Sequence, residues 1–182
     1  MAAIPARQPA RDLLWPMLLA VAAVGGSWLF ACVLPFAAFA AILAATEDRR
    51  TALGTMALIW IANQAVGFAA LGYPADAHGV LWGVALGVAA LAATATASQI
   101  VADFTHTARW VRLGLAFAAA FLVYEALLSA LGFVTGDTEN FGLSLIAQIG
   151  AVDAAWLLGL AALHEALALS GWKRLTSLRQ PA

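Results

Sequence analysis

Read for apolar and polar positions, the chain resolves into long hydrophobic stretches separated by short polar ones. Residues 51–71, 80–102, 111–133 and 141–169 are almost uninterrupted by charge. About 20 helical residues cross a hydrocarbon core of roughly 30 Å at 1.5 Å per residue, so each stretch predicts one membrane-spanning helix. The first apolar run, 13–46, is different. As a single helix it would be roughly 51 Å long and would need extreme tilt or bending. Pro16, Gly25-Gly26-Ser27 and Pro35 interrupt it, and the pattern predicts a hairpin of two arms turning near the Gly-Gly-Ser. The first arm, 12–24, would be only about 20 Å long, short enough for a half-helix or a re-entrant segment. A short tight hairpin with packing glycines is the plainer alternative.

The basic residues fix the parity of that run, because Lys and Arg collect on the cytoplasmic side of short loops. They fall at Arg7 and Arg11, at Arg49 and Arg50, at Arg109 and Arg112, and at Lys173, Arg174 and Arg179. The loops 72–79 and 134–140 contain neither Lys nor Arg, only Asp76, Asp137 and Glu139. Those two loops belong outside. All four basic clusters are inside only if the chain crosses an even number of times between Arg11 and Arg49. The expected architecture is therefore an all-α bundle of six transmembrane helices in one domain, 1–182, with cytoplasmic tails at 1–12 and 173–182. The rings of Trp15, Trp110 and Trp172 at the inner boundary, and of Tyr73 and Trp82 at the outer, fit the headgroup zone.

Composition narrows the class. The chain is 64% hydrophobic and 10% charged, with a mean hydropathy of +0.90, against roughly 25% charged for a soluble domain. Nine Lys+Arg against ten Asp+Glu leave a net charge of -1, which excludes the basic surface that nucleic acid requires. The single cysteine, Cys32, excludes an internal disulfide or a multi-cysteine metal site. The first apolar run is too long for a signal-peptide core of 7 to 15 residues, so the chain is expected to stay uncleaved in a cell membrane, the bacterial inner membrane by preference.

Small residues form two stripes. Gly83 and Gly87 are spaced as GxxxG and continue through Ala90, Thr94 and Ala97, and Ala40 to Ala44 and Ala41 to Ala45 repeat the spacing. Such faces let helices approach closely in lipid, either within the chain or against other membrane subunits.

Ionisable groups deep in a hydrocarbon core cost several kcal/mol and are functional candidates by default. Glu125 and Asp153 both fall near the expected midplane. Trp60, Asn63 and Gln64 on the third helix reach a similar depth, as do Tyr124 beside Glu125 on the fifth and Gln148 and Trp156 on the sixth. Carboxylate, amide and aromatic groups at one depth suit a small polar or cationic molecule, since ring faces and carboxylates together hold organic cations. The alternative for each residue is an interhelical hydrogen bond of about 0.6 kcal/mol. His164 and Glu165 lie a turn from the inner boundary, where an interfacial snorkelling pair is expected. No Gly-rich phosphate loop, HExxH or GxSxG occurs, so no enzyme and no cofactor is expected.

In architecture, with Ala40 to Ala44 and Ala41 to Ala45 at AxxxA spacing, the chain resembles the substrate-binding S components of energy-coupling-factor vitamin transporters. The resemblance implies an externally facing vitamin or metal-ion site, which Trp60, Asn63, Gln64, Glu125, Gln148, Asp153 and Trp156 would line. It also implies docking of a coupling subunit through an alanine face, which here falls on the second arm of the hairpin. The function expected is a transport component that binds a small nutrient between the third, fifth and sixth helices and draws energy from other subunits. A proton- or ion-coupled carrier acting alone is the alternative, and a membrane scaffold or assembly factor the next.

Overall fold

The computed structural model describes residues 14–29, 35–137 and 141–169. Both terminal tails, Cys32, Trp172, Glu139 and the basic residues before position 14 and after 169 lie outside the described residues. Within them the chain forms six α-helices and no strand. These are α1 (Leu14–Leu29), α2 (Phe36–Thr46), α3 (Arg49–Ala70), α4 (Ala77–Asp103), α5 (Arg109–Thr135) and α6 (Leu143–Leu169). The four long helices, α3 to α6, start and stop within three residues of the apolar stretches that predicted them. All four are long and apolar enough to cross a membrane.

The first run departs from expectation. Helix α1 continues through Gly25-Gly26-Ser27 and ends at Leu29, and the second helix begins only after Pro35. A glycine inside a helix costs about 1 kcal/mol relative to alanine. Unravelling a helix away from water strands backbone donors and acceptors that cost several kcal/mol each. The glycines are therefore not enough to end α1. Proline, which lacks the N–H, stands at the head of the next helix.

Helix α2 is the hub. It has 11 residues, of which ten are buried, and it packs against α3, α4, α5 and α6. Its sequence FAAFAAILAAT is apolar all round, as a helix enclosed on every side must be, and its alanines let four neighbours close in. At about 16 Å it is too short to cross a bilayer. Ala40 and Ala44 are buried inside the chain. Gly83 and Gly87 on α4 are likewise covered from α3. A β-carbon at Gly87 would come within 2.5 Å of the Trp60 ring, and one at Gly83 within 2.7 Å of Gln64 Oε1. Gly83, Gly87, Ala40, Ala41 and Ala44 are thus covered within the chain.

The two ends of the bundle differ. At one end Trp15 Nε1 donates to Thr46 Oγ1 at 3.0 Å, so the start of α1 meets the end of α2. There the Trp15 ring stands edge-on to His164, 5.0 Å between centroids, and Arg109 Nη2 lies 2.6 Å from Glu165 Oε1. Glu165 is thus in an interhelical ion pair, and His164 packs on α1. All four described arginines, at positions 49, 50, 109 and 112, occupy the first turns of α3 and α5 at this end. At the other end no Lys or Arg occurs among the described residues. There Asp76 caps α4 by accepting from Gly79 N at 2.8 Å, and Phe141 stacks on Trp82 at 6.0 Å. Between the ends, Val21, Leu58, Leu122 and Leu158 are more than 60% exposed. That apolar exterior suits lipid.

Candidate functional site at the buried end of helix α2

The first N–H groups of any α-helix have no partner within the helix. At exposed helix starts water or a local Ser, Thr, Asp or Asn satisfies them. Helix α2 starts inside the bundle, and the residue at its cap position is Pro35, which supplies no side-chain hydrogen bond. The nearest acceptor comes from α6: the Asp153 carboxyl lies close to the backbone N–H groups of Ala37 and Ala38. Asp153 is 2% exposed, and a negative group here also matches the positive end of the helix dipole.

Acceptor capacity is left over there, because Asp153 Oδ1 is buried and has no hydrogen-bond partner. Glu125, buried on α5 at 7% exposure, lies within electrostatic range of Asp153. The charges of both acids also reach the buried Tyr124. Aromatic rings flank the group: Phe36 packs on Tyr124 at 5.7 Å and Phe39 on Trp156 at 6.0 Å. No described arginine is near. Arg112, the closest along α5, is about 20 Å away along the helix axis. Among the described residues no three His, Cys, Asp or Glu side chains converge as a metal cage would need. The chemistry on offer is two carboxyl groups, a phenol and ring faces.

The eight residues singled out from the sequence do not form one cluster. Tyr124, Glu125, Asp153 and Trp156 gather at the start of α2. Trp60 and Gln64 turn instead toward α4, where Trp60 Nε1 donates to Gly83 O at 2.8 Å. Asn63 is buried on α3, and Gln148 is exposed on α6. The separation follows from α2, which packs on α3 with one side and on α5 and α6 with another, filling the space a site between the third, fifth and sixth helices would use. Sequence reasoning missed Phe36, Phe39 and the amides of Ala37 and Ala38. The available signal was Pro35 heading an apolar helix with no Ser, Thr, Asp or Asn beside it, a helix start that needs a cap from elsewhere.

No family model, curated protein or solved structure matches this chain.

Proposed function

We propose that this chain is a multi-pass membrane transport protein that receives a small polar or cationic solute where α5 and α6 meet the buried start of α2. The observation that carries the proposal is the pair of buried acids, Glu125 and Asp153, held beside the buried start of a short helix with no described basic side chain near them. Interrupted helices with their starts inside the bilayer are how many transporters build solute and ion sites, because irregular backbone is tolerated there only when protein or a cavity covers it. Two acids without a counter-ion favour a cation as the missing member, and the rings of Tyr124 and Trp156 favour an organic one.

In this proposal the arginine-bearing end faces the cytoplasm, by the bias of basic residues toward that side. The pairing of Trp15 with Thr46 supports it, because α1 and α2 then leave and return to the same face. Both termini are cytoplasmic and six helices enter the membrane, α2 reaching only part of the way. Energy comes from other subunits or from an ion gradient.

The test uses the purified chain with a panel of vitamins, organic cations and metal ions, read by tryptophan fluorescence and thermal stability. At least one cationic compound should stabilise the protein saturably, and Glu125→Gln should weaken it by at least about tenfold, the loss of one charge-assisted contact. Asp153→Asn, which keeps an oxygen for α2, should fold and weaken binding less. If no compound alters the wild-type chain, and liposomes containing it alone show no ion or solute flux, the transport proposal fails. Flux of protons or sodium without any organic ligand would favour the carrier that acts alone.

A further inference from the structure

A different region lies between α3 and α4, and its lining includes none of the residues at the start of α2. There a cavity of about 380 Å3 opens between the two helices, within the range of pockets that hold small organic molecules. Trp60, Gln64 and Gly83 are among its lining, with Phe68 at one side and Ile61 and Val84 at the rim. Ile61 and Val84 are 54% and 51% exposed on the apolar exterior, so the cavity opens toward lipid.

One polar group in this lining is unspent. Trp60 Nε1 is committed to Gly83 O, but Gln64 Nε2 is buried with no hydrogen-bond partner. A buried amide donor left unpaired costs about 1–3 kcal/mol, and none of the lining side chains is charged. The terminal torsion of glutamine is soft, so a modest rotation presents the N–H to the cavity.

Depth limits what can accept that hydrogen bond. Helix α3 is about 33 Å long, just enough to span a hydrocarbon core, and Gln64 lies about 9 Å below its outer end. That is below the level of phospholipid ester groups, and acyl chains at that depth carry no acceptor. We infer that the cavity between α3 and α4 binds a membrane-dissolved, neutral, flat ring bearing a carbonyl oxygen, the chemistry of a quinone, with the ring between Trp60 and Phe68 and the oxygen on Gln64 Nε2. The inference requires α3 and α4 to lie in a bilayer. It does not require the solute site at α2.

The test places the full chain in phosphatidylcholine nanodiscs and titrates decylubiquinone, with decylbenzene as the partner lacking a carbonyl. Decylubiquinone should raise the unfolding temperature saturably and decylbenzene should not. Gln64→Leu should weaken the response by about tenfold, the loss of one hydrogen bond to a buried donor. Val84→Trp, placed on the lipid-facing rim where it does not disturb the core, should abolish it. Equal responses to the two compounds, no response at all, or full binding by Val84→Trp would overturn the assignment. Because the Trp variant reads the cavity without touching Gln64, the assignment stays testable if Gln64→Leu does not fold.

Discussion

Helices α2 and α3 follow one another in the chain, yet their first turns are stabilised in opposite ways. Helix α3 begins with a cap beside it in sequence: Asp48 accepts from Arg50 N at 3.0 Å and from Thr51 N at 3.3 Å, and Thr51 Oγ1 donates to it at 2.8 Å. All three bonds are exposed. Helix α2 begins inside the bundle, where the carboxyl placed to cap it is Asp153, from the last helix in the chain. The same carboxylate chemistry serves both ends, but the consequences of losing it differ. Water can replace Asp48, whereas nothing replaces Asp153, since an unpaired backbone donor in an apolar interior costs several kcal/mol. The difference separates two roles of a buried acid, as an oxygen that accepts hydrogen bonds and as a charge.

The largest expected effect follows directly. Asp153→Ala should lower stability by about 3 kcal/mol, a lost cap plus buried unpaired amides, read as the denaturant or thermal midpoint in detergent. Asp153→Asn keeps an oxygen for Ala37 and Ala38 and removes the cost of burying charge, so it should match or exceed the wild-type midpoint. If Ala and Asn destabilise equally, the capping role is wrong. If Asn is stable while solute binding falls, the charge is retained for function rather than for the fold.

The exposed cap sharpens the contrast with a smaller effect. Asp48→Ala should cost about 1 kcal/mol, with solute binding unchanged, measured on the same midpoint. A loss as large as that of Asp153→Ala would mean that the start of α3 is not open to water, and the distinction between the two helix ends would disappear.

These two ends also mark what could be read from the sequence. Asp48 and Asp76 directly precede the helices they cap, and the four long helices are apolar stretches almost uninterrupted by charge. Local chemistry determines both, so both were legible. The start of α2 was not, because its partner lies on α6 and only packing brings the two together. Gly25-Gly26-Ser27 misled for a related reason: the local propensity of glycine to break helices is outweighed where no water can take over the backbone hydrogen bonds. Trp60 stands out because it sits mid-helix, and its packing partner is visible in principle, since Gly83 and Gly87 form a notch one helix later that a flat indole fills. Glu125 and Asp153 stood out through the cost of burying charge, which is a property of single residues. What each does depends on neighbours that no single residue reveals.

The smallest effect belongs to a third aspartate, Asp137, just beyond the end of α5. It accepts from Thr135 Oγ1 at 2.7 Å and from Trp82 Nε1 at 3.1 Å, and His78 Nε2 lies 3.4 Å away. The Thr135 hydrogen bond, with help from Trp82 and the charge of His78, holds its carboxyl below the ordinary value of 3.8. An acid whose pKa is lower in the folded chain than in the unfolded one binds protons less readily when folded. It therefore contributes stability that is present above the ordinary carboxyl range and disappears as pH falls through the folded value, below 3.8. The thermal midpoint of Asp137→Asn, subtracted from that of the wild type, should shrink toward zero as pH falls below about 5. Asp48→Ala should exceed it at neutral pH. Asp137 is partly open to water, which competes for the bonds it makes and screens the charges near it, so a difference as large as that at Asp153 would show that this end of the bundle is buried in the working protein. A difference that grew with acid would reverse the sign argument and remove Asp137 from the comparison.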